Sequence, residues 1–134
     1  MSIPQPTPYD DALMRAIISG DAPAVGALLR EGADPDVRDK NGLTALMWAA
    51  GSSHIEIVRE LIAAGADVNA RRATGRTALM YAAQAGRAAI VRELVAAGAD
   101  VSAQDEDGLT ALKIAERHSN TDVANLLVKA ASGG

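Results

Sequence analysis

Gly42-Leu43-Thr44-Ala45-Leu46-Met47-Trp48-Ala49-Ala50 returns as Gly75-Arg76-Thr77-Ala78-Leu79-Met80-Tyr81-Ala82-Ala83. It returns again as Gly108-Leu109-Thr110-Ala111-Leu112-Lys113-Ile114-Ala115. The step is 33 residues each time, and the Gly-Ala-Asp triplets that begin at Gly32, Gly65 and Gly98 keep it. One step back from Thr44 lies Asp11, where Asp11-Ala12-Leu13-Met14-Arg15-Ala16 is a degraded copy. A fixed period of this length marks stacked units, each burying its apolar face against its neighbours. The chain divides into an N-terminal extension, 1–5, and four units at about 6–38, 39–71, 72–104 and 105–134.

Each unit reads as two helices. Thr44, Thr77 and Thr110 stand where an N-cap oxygen is needed, and Asp11 is expected to cap the first unit in the same way. The Ala-Leu frames that follow are strong helix formers. Breaks are expected at Gly20, Ser52-Ser53, Gly86 and Ser119-Asn120. The second helix carries one apolar stripe: Ile57, Val58, Leu61 and Ile62, then Ile90, Val91, Leu94 and Val95, then Val123, Leu127 and Val128. Gly32, Gly65 and Gly98 fall just past that helix, where a left-handed residue ends it well. An extended excursion then turns at Lys40-Asn41-Gly42, Ala73-Thr74-Gly75 and Glu106-Asp107-Gly108.

These frames resemble the ankyrin-repeat family, in register from about Pro6 to Ala130. The resemblance implies an all-α solenoid of helix-turn-helix units, with hairpin-like fingers projecting from the stack. It also implies a concave groove, lined by the first helices and the fingers, where partners dock. The chain departs from the family pattern in three respects. Ala45, Ala78 and Ala111 follow the threonines where the family favours Pro. Met47, Met80 and Lys113 replace its His, so stability is expected to lean on apolar packing. Arg72 replaces the Asp of the third finger, whose turn is expected to be less well fixed. Polar residues on the first unit (Asp10, Asp11, Arg15, Asp21) and the last (Lys113, Glu116, Arg117, Asn120, Asp122, Asn125, Lys129) read as end caps of a complete small domain.

Composition removes several classes of function. With no cysteine there is no disulfide, thiolate catalysis or cysteine-bound zinc, and the expected compartment is the cytoplasm. A net charge of −4 argues against general nucleic-acid binding. No apolar run approaches a membrane span, and Met1 to Asp10 lacks the basic and apolar regions of a secretory signal. His54 and His118 have no second ligand at metal spacing and read as helix-end residues. Asp105-Glu106-Asp107-Gly108 lacks the calcium-loop pattern and reads as a solvated acidic tip. No nucleophile-base pair, phosphate loop, cofactor site or metal set emerges, so the chain reads as non-catalytic.

What remains is surface. Helical spacing puts Trp48 and Ser52, Tyr81 and Gln84, and Ile114 and Arg117 on one face of successive first helices. Arg15, Ile18 and Ser19 hold that face in the first unit. The resemblance places it in the groove, beside the finger residues Arg38, Lys40, Asn41 and Leu43, then Arg71, Arg72 and Arg76. Trp48 and Tyr81 occupy equivalent positions of adjacent units and are read as binding anchors, the rival reading being that each packs on a neighbouring finger or helix. Met47 and Met80 are read as core. Five cations share the second and third fingers, whereas Asp105, Glu106 and Asp107 make the fourth acidic. This edge would orient a protein partner carrying an acidic patch. The expected function is a monomeric protein-protein interaction module with no cofactor, nucleic acid or membrane. The alternative is an engineered or consensus-like scaffold without a natural ligand.

Overall fold

The computed structural model describes residues 8–132, so the extension 1–5 and the start of the first unit lie outside the described residues. Four helix pairs follow one another: α1 Asp10–Ser19 and α2 Ala22–Arg30, α3 Ala45–Gly51 and α4 Ile55–Ala63, α5 Ala78–Ala85 and α6 Ala88–Ala96, α7 Ala111–Arg117 and α8 Thr121–Ser132. Each first helix packs on the first helix of the next pair, and each second helix on the next second helix, giving two helical layers. Among the described residues there is no strand, only an antiparallel bridge between Arg38 and Thr44 at the base of one finger.

Local chemistry sets the helix ends. Thr44 Oγ1 accepts from the Met47 N–H at 3.2 Å, Thr77 from Met80 at 3.4 Å and Thr110 from Lys113 at 3.2 Å. The Asp11 expectation is corrected: α1 begins at Asp10 with Tyr9 as its N-cap, so Asp11 lies inside the helix. Asp10 is buried instead and accepts from the Asp34 N–H at 3.0 Å. Three second helices close on left-handed glycines, Gly32, Gly65 and Gly98 (φ 106°, 93° and 97°). At each, the next amide reaches back across the turn, as Ala66 N–H does to Leu61 O at 3.0 Å.

The core is aliphatic. Leu13, Ile17, Leu46, Met47, Leu79 and Met80 from the first helices meet Val25, Val58, Leu61, Val91 and Leu94 from the second. Met47 and Met80 are both 1 % exposed, so at these two positions the expected apolar packing is found. The Met47 sulfur also accepts from the Thr44 N–H at 3.4 Å. At the last unit, Lys113 stands exposed where those methionines are buried. Val128, expected on the apolar stripe, is 52 % exposed; among the described residues no further helix packs on α8.

Neighbouring units are also tied by side chains at the start of the second helix. His54 lies against Gly20, where an added Cβ would sit 2.6 Å from the imidazole Cε1. Asn120 repeats the contact one pair of units later, donating to Ala83 O at 2.7 Å and Gln84 O at 3.1 Å beside Gly86.

Candidate functional site: the finger face and first-helix groove

The three fingers use one backbone turn with different side-chain supports. In the second, Asp39 N–H donates to Leu43 O at 2.9 Å and Gly42 N–H to Asp39 O at 3.0 Å. Asp39 Oδ1 also accepts from the Asn41 and Leu43 amides. Asp105 does the same in the fourth finger, for Asp107 and Leu109. The third finger has no such carboxylate, yet it closes on the same backbone bonds, Arg72 N–H to Arg76 O and Gly75 N–H to Arg72 O. The expected looseness is offset by the neighbouring finger, where Glu106 N–H donates to Thr74 O at 2.8 Å.

The residues freed or engaged by this exchange reach the first helices. Trp48 Nε1 donates to Asp39 Oδ2 at 2.8 Å. One period later, Arg72 Nη1 donates to Tyr81 Oη, also at 2.8 Å. The two pairs occupy equivalent positions with the donor and acceptor ends exchanged. An indole can only donate, so it takes a carboxylate; a phenol accepts, so it takes a guanidinium. Arg76 lies over the Tyr81 ring, 4.8 Å from its centroid, and donates to Gln84 Oε1 at 2.6 Å. Burial opposes charge on Asp39, but the Trp48, Leu43 and Asn41 donors and the Arg72 cation together hold its carboxyl below the ordinary range.

A second set of arginines links finger to finger. Arg38 Nη1 donates to Gly42 O at 2.9 Å in its own finger and to Arg71 O at 3.1 Å in the next. Arg71 repeats this one period later, with Nε to Gly75 O at 3.2 Å and Nη2 to Gln104 O. Arg72 Nη2 reaches back to Asn41 O at 2.9 Å. The acceptors are neutral carbonyls, so this ladder neutralises none of the positive charge, and the ionised Asp39 beside Arg72 offsets only part of it. Among the described residues both ion pairs belong to Arg59, in the other layer. The basic second and third fingers therefore adjoin an acidic fourth, where Glu106 and Asp107 are exposed.

A cleft of about 450 Å³ opens between α1 and the second finger. Met14, Ile18, Val37 and Trp48 supply apolar wall, and Asp11, Arg38 and Lys40 supply charge. Ile18 is 53 % exposed, one of two large apolar side chains so exposed among the described residues. The cleft unites Arg38, Lys40, Asn41 and Trp48 from the sequence-predicted set. Asp11 and Met14 were not among the predicted binding residues; their place one helical turn from Arg15 and Ile18 was the available signal.

Arg72, Arg76, Tyr81 and Gln84 form a second connected group. Leu43 is half-buried against the core. Ser52 and Arg117 are exposed at the ends of α3 and α7 and join neither group. Ile114 is a correction: it is 3 % exposed and part of the core, because an aliphatic side chain at the Trp48 position ends inside the cluster.

A family model described as ankyrin repeats (3 copies) matches residues 13–105 and again residues 64–133. Two Rickettsia felis ankyrin repeat proteins are each 51 % identical to the chain over 45 residues, which is 34 % of this chain. The match covers 71 % of one of them and 68 % of the other.

Proposed function

The chain belongs to the ankyrin-repeat family, and from that premise we propose that it is a non-catalytic module that binds a protein partner through its fingers and first-helix groove. Ankyrin repeats are generally protein-protein interaction modules and are typically non-catalytic. The observation that carries the reading to this face is the cleft between α1 and the second finger. It combines the exposed Ile18 with the half-buried Trp48 beneath charged finger residues. Apolar surface rimmed by charge is the usual anatomy of a protein interface. Trp48 serves there as a ring whose polar end is already satisfied, so its face can be covered at little cost in hydrogen bonding, while Tyr81, bonded to Arg72 and covered by Arg76, stands one repeat on.

In this reading the basic edge, grading into the acidic fourth finger, orients a partner that presents an acidic patch. Such steering acts on association rate more than on final affinity. The module works as a monomer in the cytoplasm. A photo-crosslinking residue at Ile18 or Lys40, exposed to lysate of the producing cell, tests the site. The expected result is one protein captured at both positions and absent when the crosslinker replaces the exposed Lys129 of α8. Equal capture at all three positions, or none at Ile18 and Lys40, contradicts the reading.

A further inference from the structure

The internal period exposes a second site on the layer of second helices. Between α4 and α6, Arg59 Nε donates to Glu93 Oε1 at 2.9 Å and Arg59 Nη1 to Glu56 at 3.1 Å. One period earlier, between α2 and α4, the equivalents of Arg59 and Glu93 are Gly26 and Glu60. The acid is kept and the arginine is gone. Glu60 lies down over the glycine, where an added Cβ would collide with Oε2. A cleft of about 370 Å³ remains, walled by Leu29, Ala63 and Ala64. Arg30 also lines it, with Nη1 3.4 Å from the Gly26 Cβ position, but forms no ion pair with Glu60.

We propose that the Gly26–Glu60 cleft binds a guanidinium, brought in as the arginine side chain of a protein partner. The chain itself supplies the template, since the same acid in the next step of the stack is held by a guanidinium. Leu29, Ala63 and Ala64 offer apolar wall to the methylene stem of an arginine, and Glu60 offers the planar acceptor that its fork matches. Burial pushes the Glu60 carboxyl up, against the opposing pull of Arg30 and with a further push from Glu56. An incoming cation relieves that penalty. This site stands apart from the finger face and does not depend on it.

The test titrates N-acetyl-arginine-amide into the isotopically labelled protein and follows the Gly26 amide by NMR. The expected result is a saturable shift that vanishes in Glu60→Gln and is several-fold weaker with N-acetyl-lysine-amide. Gly26→Arg fills the cleft from within, so it is expected to abolish the shift and raise the thermal midpoint. Arg30→Ala removes the competing cation and is expected to tighten binding. A shift that does not saturate, persists in Glu60→Gln or is equal for both amides overturns the proposal, as does its absence in a folded wild-type protein.

Discussion

The indole Nε1 of Trp48 donates to Asp39 Oδ2 at 2.8 Å across nine residues, joining the first helix of the second repeat to its own finger. The same carboxylate closes the finger turn through Oδ1. One side chain thus fixes both the finger and the ring at the mouth of the groove.

Asp39→Asn is expected to keep the turn acceptor and lose the charged acceptor for Trp48. A hydrogen bond to a charged group contributes about 1.5–3 kcal/mol when intact, and less where water reaches it, so a cost of about 1 kcal/mol is expected. Trp48 is the chain's single tryptophan, so its emission should shift in the variant while helical content holds. An unchanged emission spectrum and thermal midpoint would mean that the bond is absent in solution.

The same contact has a pH signature. The folded Asp39 carboxyl titrates below its ordinary value of 3.8. Its contribution to stability is therefore present above the unfolded pKa and lost as pH falls through the folded one. Trp48 emission should stay constant from neutral pH down to the ordinary carboxylate range and change only below it. Asp39→Asn should show no such step, and a midpoint above 3.8 in the wild type would contradict the assignment.

Three closely matching frames made the fold legible, because a threonine cap and a glycine stop recur at one period and each has a single local task. The first repeat escaped that logic. Asp11 matches the threonine register, but Tyr9 is the N-cap and Asp10 turns inward to Asp34, so the acid one place earlier takes a structural role that the register did not mark. The groove was legible only as a register. That Trp48 and Tyr81 stand in equivalent positions was visible, but not that each is bonded to a residue nine positions before it. The signal was a joint change, Asp39 with Trp48 becoming Arg72 with Tyr81, and a donor-acceptor argument on those positions would have found it. The burial of Ile114 had no such signal, since only side-chain length separates it from the rings.

The arginine ladder sets the next expectation. Arg71→Ala cuts the side-chain link from the third finger to the fourth at Gln104. A loss of about 1 kcal/mol is expected, with faster amide exchange confined to the third and fourth fingers. Arg71→Lys should not restore protection, because an ammonium lacks the planar fork that spans two carbonyls. Exchange that rises evenly along the chain would argue against a local link.

Gly26 is a helical glycine in mid α2, so Gly26→Ala should raise stability by about 1 kcal/mol once the flexible end of Glu60 swings aside. Thermal unfolding of the variant checks this, and a lowered midpoint would mean that Glu60 cannot move.

Removing residues 105–132 would strip α7 and α8 from α5 and α6, uncovering Met80 and Leu94. Because each unit is stable only through its neighbours, the shortened chain should unfold at lower temperature and lose solubility. A shortened chain as stable and soluble as the full one would contradict the packing account.

Ile18 tests binding at the cleft beside Trp48 with the least disturbance to the fold. At 53 % exposed it contributes little to the core, so Ile18→Asp should lower the thermal midpoint only slightly, through the poorer helix propensity of Asp and its charge in the last turn of α1. With the partner captured by crosslinking in hand, its affinity is measured for wild type, Ile18→Asp, Lys40→Glu and the control Lys129→Glu. A loss of affinity of about tenfold or more is expected for Ile18→Asp, the scale of a central interface residue. A slower association that fades with salt is expected for Lys40→Glu, and no change for the control. Unchanged affinity in Ile18→Asp, with the fold intact, would contradict binding at this cleft.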